Sequence, residues 1–125
     1  MTNKPVKIPG NDHPISIAPQ PGRVVVTAGG RVIADSRRAL TLKEASYPPV
    51  QYIPRADVDM TQLSRTTHSS YCPYKGDAAY FSISAAGARA DNAVWTYEHP
   101  HDAVAEIAGF VAFYPDRVDS LEIRE

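Results

Sequence analysis

The chain has 125 residues, which is enough for one hydrophobic core and predicts a single domain. Its 13 basic and 14 acidic residues give a net charge of −1, so it lacks the basic excess typical of proteins that bind nucleic acid or an anionic membrane. The single cysteine excludes an internal disulfide, and no stretch approaches the roughly 20 apolar residues of a transmembrane helix.

Residues 1–13 are rich in Pro, Lys, Asn and Gly and predict a flexible N-terminal arm before one domain at 14–125. The arm has no apolar run after its lysines, so we expect no signal peptide and a cytoplasmic protein.

The sequence RVVVTAGGRVIAD at 23–35 predicts a β-hairpin. Two runs of β-branched residues flank Gly29 and Gly30, which supply the positive φ angles of a type I′ turn. If these two glycines are the whole loop, Val26 faces Ile33 and Val24 faces Asp35 across the ladder.

Short strands are predicted at 39–42 and 50–53, and Pro48 and Pro49 prevent a helix between them. The segment 57–63 is interpreted as either a single helical turn or an irregular loop.

A second hairpin is predicted from Ala79 to Tyr97, with Gly87 at its turn. The alternation of polar and apolar residues directs Phe81 and Ile83 to the core. On the return strand, Trp95 and Tyr97 share one face, and Val94 and Thr96 share the other.

One helix is predicted at 99–109, where Pro100 suits its start, Asp102 its first turn or cap, and Gly109 its end. Val104, Ile107 and Ala108 form its apolar stripe. Closing strands follow at 110–114 and 120–124. The predicted fold is mainly β, with about eight short strands and one short helix near 100–108.

The segment HSSYCPYKGDAAYF at 68–81 concentrates side chains that could do chemistry. His68 and Cys72 could both bind a metal, but a structural zinc site needs four nitrogen or sulfur ligands. The other histidines are scattered, so we expect no bound metal and no cofactor, and the alternative is a site of His68, Cys72 and a distant carboxylate.

Two enzymatic hypotheses remain open. Cys72 lies near Lys75 and His68, which could lower the pKa of a nucleophilic thiol, although a lone cysteine is more often a small buried apolar residue. Asp57 and Asp59 have a spacing that could hold Mg²⁺ for nucleotidyl or phosphoryl transfer, although a solvated loop is the simpler interpretation.

The aromatic residues favour a ligand pocket. Tyrosine combines an apolar ring with a polar hydroxyl, as small-molecule sites require, and nearby Arg55, His68 and Lys75 add cationic groups. The alternative is that about half of these rings form core or cross-strand pairs. The set comprises Tyr52, Tyr71, Tyr74, Tyr80, Trp95, Tyr97 and Tyr114.

Five segments, in order, resemble the bacterial domain of unknown function family 427, which is sometimes labelled nucleotidyltransferase-like. They are SRRAL (36–40), PPVQYIPRADVDM (48–60), THSSYCPYKGDAAYFS (67–82), DNAVWTY (91–97) and AGFVAFYPDRVD (108–119).

The resemblance implies a β-tent, in which two antiparallel sheets meet at an angle, similar in architecture to the thalidomide-binding domain of cereblon. Relatives of that fold often hold zinc with two pairs of cysteines, and Cys72 is alone here. The family often has Trp where this chain has Phe81. The resemblance implies that the family's recurring polar and aromatic positions fall on Arg38, Tyr52, Arg55, His68, Tyr71, Cys72, Tyr74, Lys75, Tyr80, Asn92 and Trp95. The predicted ligand site consists of nine of these residues, without Tyr80 and Asn92.

We therefore expect a domain that binds an unidentified small molecule around the 68–75 loop. The alternatives are an enzyme of the transferase or Cys72-dependent type and a protein interaction module. A homodimer is compatible with each.

Overall fold

The computed structural model describes residues 4–84 and 90–125 and confirms a mainly β fold. These residues form ten strands in three antiparallel sheets, where the sequence predicts about eight strands in two sheets. The strands are β1 (Ile15–Pro19), β2 (Arg23–Ala28), β3 (Arg31–Ser36), β4 (Leu40–Glu44), β5 (Val50–Tyr52), β6 (Leu63–Cys72), β7 (Gly76–Ile83), β8 (Val94–Thr96), β9 (Val111–Phe113) and β10 (Ser120–Arg124).

The sheet β6-β7-β8-β9 is the centre of the molecule because both of its faces are buried. Successive side chains of a strand point to opposite faces, so β7 sends Phe81 and Ile83 to one core and Ala78 and Tyr80 to another. The burial of Phe81 and Ile83 confirms their predicted core positions.

The first core packs the central sheet against the sheet β10-β2-β3. Val24 and Val26 of β2 and Val94 of β8 are fully buried in it.

The second core packs the other face of the central sheet against the sheet β1-β4-β5 and the segment 102–107. Leu42, Tyr52, Val104 and Ile107 are each no more than 2% exposed there.

The first hairpin forms with the predicted two-residue turn, but its predicted register is wrong by one residue. Ala28 pairs with Arg31, and Gly29 and Gly30 have φ of 59° and 77°. Beyond the turn, Val26 pairs with Ala34 and Val24 with Ser36 because Ile33 is an extra residue in β3, as in a β-bulge. The Ile33 carbonyl accepts instead from the amide of Asp59, at 2.7 Å.

The second predicted hairpin is also present, since Tyr80 pairs with Trp95 and Phe81 with Val94. Its predicted turn at Gly87 lies outside the described residues. β7 also pairs with β6, which begins at Leu63, so His68, Tyr71 and Cys72 lie in a strand and not in the predicted loop.

The predicted helix near 100–108 is a shorter 3₁₀ segment, Asp102–Ile107, capped by His101 and interrupted at Val104. Val104 and Ile107 are fully buried as predicted, whereas Ala108 is exposed. Further 3₁₀ turns lie at Arg55–Asp57, Met60–Gln62 and Pro115–Arg117. The second of these bears out the interpretation of 57–63 as a helical turn.

Residues 4–13 lie against the turn that joins β6 to β7. The amide of Lys7 donates to the Pro73 carbonyl at 3.0 Å, and Lys4 Nζ donates to Asp77 Oδ1 at 2.6 Å. Within the part of the chain that the structure describes, no helix is long and apolar enough to cross a membrane.

Candidate functional site

A cavity of about 190 Å³ opens beside the second core, between β4 and β5 on one side and the central sheet on the other. It is lined by Leu42, Glu44, Tyr47, Pro48, Val50, Tyr52, Lys75, Tyr80, Trp95, Tyr97 and Tyr114.

Trp95 organises the aromatic wall of this cavity. Its indole Nε1 donates to the Tyr52 hydroxyl at 3.2 Å, and the two rings meet edge to face at 89°. The centre of the Tyr114 ring lies 4.5 Å from the centre of the Trp95 ring. Rings in such offset or edge contacts hold each other in place, so the wall is largely preformed.

The charged part of the lining is the ion pair of Lys75 and Glu44, whose side chains are 11% and 13% exposed. His13 Nε2 lies 2.7 Å from the other carboxylate oxygen of Glu44. Burial by itself would raise the pKa of Glu44, but hydrogen bonds from Lys75 and His13 outweigh burial, and the pKa is lowered. Glu44 is therefore ionised at neutral pH.

Three of the cavity phenols, Tyr52, Tyr97 and Tyr114, stay protonated at neutral pH. Burial raises the pKa values of Tyr52 and Tyr97, and burial together with the neighbouring Tyr80 hydroxyl raises the pKa of Tyr114 to about 12. Each phenol can therefore both donate and accept a hydrogen bond.

Tyr97 is one of the phenols that line the cavity. No partner for its hydroxyl is found within residues 4–84 and 90–125, and no fully buried polar side-chain atom of those residues lacks a partner, so the hydroxyl is not fully buried. Lys75 Nζ lies 6.0 Å from the centre of the same ring.

Lys75 is positioned by the tight turn between β6 and β7. Its amide donates to the Cys72 carbonyl at 3.2 Å, and its carbonyl accepts from the His101 amide at 3.0 Å. Gly76 follows with φ of 113°, outside the left-handed helical range that residues with a side chain tolerate. The turn thus directs the lysine towards Glu44.

Three of the nine predicted ligand-site residues, Tyr52, Lys75 and Trp95, line the cavity together. His68 does not line it, but its ring lies 4.4 Å from that of Tyr80, which does.

The two predicted arginines lie elsewhere. Arg38 pairs with Asp57 through Nη2 and Oδ1 at 2.8 Å. Arg55 Nε donates to the Gly109 carbonyl at 2.7 Å, and its guanidinium lies 5.7 Å from the Phe81 ring. Phe81 belongs to the first core, whereas its neighbour Tyr80 points to the second core and lines the cavity.

The remaining predicted residues surround the turn behind the cavity. The Tyr71 hydroxyl donates to the Pro5 carbonyl at 2.6 Å. Tyr74 stacks on His13 at 3.9 Å and so supports the partner of Glu44. Cys72 is partly buried against the second core.

The two aspartates proposed for Mg²⁺ are separately engaged. Asp57 accepts from Arg38 and from Ser36 Oγ, the latter at 2.7 Å, and Asp59 accepts from the Thr61 hydroxyl at 2.5 Å. Nowhere in residues 4–84 and 90–125 do three His, Cys, Asp or Glu side chains form a possible metal site.

The sequence did not single out Glu44 or His13 as site residues. A lysine needs a carboxylate partner only when it is buried, and the sequence does not show that Lys75 is buried. The sequence offers 14 acidic residues, and only the packing of the sheet β1-β4-β5 against the central sheet selects Glu44.

Comparisons with known proteins place the chain in a family without assigning an activity. No curated protein matches it. The family model of the domain of unknown function DUF427 matches residues 16–124, which include every cavity-lining residue and nearly the whole fold. The chain therefore belongs to the DUF427 family.

Proposed function

We propose that this domain binds a small, uncharged polar molecule in the cavity beside Trp95. The observation that carries the proposal is the Lys75–Glu44 ion pair, set with the Tyr97 hydroxyl in an aromatic lining. Small-molecule sites are usually pockets lined by apolar and aromatic side chains, with a few polar groups that point towards the ligand.

The size of the cavity suits a ligand of about one ring. Its volume is about 190 Å³. An engineered protein cavity of about 150 Å³ accepts benzene, so a six-membered ring with a small polar substituent fits this one.

The charges of the lining favour an uncharged ligand. Lys75 and Glu44 have opposite charges and pair with each other, so an ionic ligand would have to separate them or enter without a counter-charge. An ammonium has three N–H donors, and within the described residues only Glu44 accepts from Lys75. The remaining donors and the Tyr97 hydroxyl suit a ligand that has both an acceptor and a donor, such as an amide.

Trp95 gives a direct assay because it is the only tryptophan and lies in the cavity wall. We expect uncharged single-ring amides and lactams, beginning with benzamide and 2-pyridone, to change its fluorescence saturably and to raise the melting temperature. Benzoate and benzylammonium, of nearly the same shape, should bind more weakly. A panel of such amides and lactams without any response at millimolar concentration would contradict the proposal.

Removing the Tyr97 hydroxyl tests the site itself. Tyr97→Phe should weaken benzamide binding about 2- to 10-fold, the range expected for one hydrogen bond between uncharged groups. The matched control is Tyr71→Phe, which removes a hydroxyl that contacts the Pro5 carbonyl and the His101 ring, both outside the cavity, and should leave the affinity unchanged.

A further inference from the structure

A larger apolar groove lies beside the cavity. Its volume is about 680 Å³, and it shares five lining residues with the cavity: Tyr47, Pro48, Val50, Trp95 and Tyr114. The two spaces are therefore adjacent along one wall, with Trp95 and Tyr114 facing both.

The chemistry changes from one space to the other. The residues found only in the cavity include Glu44, Lys75 and Tyr97, which supply charges and a hydroxyl. Most of those found only in the groove are apolar, namely Pro49, Phe113, Pro115, Leu121 and Ile123.

Most of the polar side chains of the groove already bond to one another. Thr41 Oγ1 donates to Gln51 Oε1 at 2.8 Å, and Gln20 Nε2 donates to Thr41 Oγ1 at 3.2 Å. Because this network is internal, the groove presents chiefly carbon surface to an occupant.

The rim of the groove exposes two large apolar side chains. Ile123 of β10 is 51% exposed and Tyr47 is 63% exposed. A flexible apolar chain that leaves the cavity past Trp95 would cover both and remove their surface from water.

We propose that the ligand is amphipathic, with an uncharged polar ring in the cavity and an apolar chain in the groove. This inference rests on the proposed function, because it uses the same site and extends the ligand beyond it. The shared wall of five residues and the change from polar to apolar lining support it.

The test is a homologous series: benzamide and its 4-ethyl, 4-propyl and 4-butyl derivatives, titrated against Trp95 fluorescence. Each methylene group that enters the groove should tighten binding about fourfold, the equivalent of about 0.8 kcal/mol. Ile123→Ser should then weaken 4-butylbenzamide at least fivefold and leave benzamide unchanged. Val32→Ser is the matched control, because Val32 is another exposed β-branched residue, 58% exposed, outside the groove.

Three outcomes would overturn the inference, and they are distinguishable. If benzamide binds and chain length has no effect, the amphipathic ligand is excluded while the small-molecule site stands. If no compound binds, the proposed function fails and this inference fails with it. If Ile123→Ser changes the sedimentation coefficient and not the affinity for 4-butylbenzamide, the groove is a contact between copies of the chain.

Discussion

Lys75 and Glu44 give up most of their hydration to form one ion pair beside an aromatic cavity. The desolvation of two charges often equals or exceeds the energy of their attraction, so apolar residues of similar size would stabilise such a position as well. Stability alone therefore does not explain the pair. This is why the pair supports the proposal of a ligand that uses the ammonium and the carboxylate.

A double-mutant cycle tests this interpretation at the residue scale. Glu44→Leu leaves the Lys75 charge without its carboxylate, and we expect the free energy of unfolding to fall by about 3 kcal/mol. Adding Lys75→Met to the same protein should restore stability to within about 1 kcal/mol of the original. Urea denaturation of the four proteins measures both changes. Two small, additive effects would show that solvent screens the pair.

At the scale of elements, the turn from β6 into β7 is the most demanding feature of the site. Gly76 has φ of 113°, outside the left-handed region that residues with a side chain adopt, although a Cβ there would meet the His99 carbonyl oxygen at an ordinary contact distance of 3.4 Å. The His101 amide of the facing backbone donates to the Lys75 carbonyl, so strain at Gly76 acts directly beside a residue that lines the cavity.

Gly30 offers a matched comparison, because its φ of 77° lies close to the left-handed region that residues with a side chain occasionally adopt, whereas the φ of 113° at Gly76 lies outside it. Gly30→Ala should lower the free energy of unfolding by about 1 kcal/mol, from backbone strain alone. Gly76→Ala should cost about 2–3 kcal/mol and should also weaken benzamide binding. Urea denaturation and Trp95 fluorescence measure the two effects, and equal costs at the two glycines would contradict the argument.

The predicted strands do not include β1 and β6. β6 is polar on both faces over most of its length, LSRTTHSSYC, because it is an edge strand with much of its surface in solvent, so it lacks the alternating pattern. β1 is likewise an edge strand and ends at Pro19, but its Ile15 and Ile17 alternate with Ser16 and pack against the second core, so its pattern was present in the sequence. The bulge at Ile33 depends on the distant Asp59 amide, which no local pattern reveals.

The same limit applies to the site. Tyr52, Lys75 and Trp95 were predicted from residue type and from the family resemblance, but the same criteria also selected six residues that do not line the cavity. Arg38 and Arg55 have the same chemical character, but their partners, Asp57 and Glu98, hold them elsewhere. Partner choice depends on the packing of sheets and is therefore not visible in a single sequence.

For the whole molecule, the consequence of a central sheet is that neither core is independent. The strands β7, β8 and β9 contribute side chains to both cores, so loss of one core removes a wall of the other. We expect one cooperative unfolding transition in spite of the three sheets.

Ile83→Val tests that expectation, because Ile83 lies in the first core and Trp95 packs against the second. The substitution should lower the free energy of unfolding by about 1 kcal/mol. Transitions followed by far-ultraviolet circular dichroism and by Trp95 fluorescence should shift together. A fluorescence transition that stays in place while the other moves would show that the cores unfold separately.

The loop between β4 and β5 has a consequence for how this family can diversify. Its Tyr47 and Pro48 face both the cavity and the groove, yet both are exposed and belong to no strand. Substitutions at exposed loop positions usually change stability little. The shape of the proposed site can therefore be altered here, by natural divergence or by design, while the charged pair and the central sheet are retained.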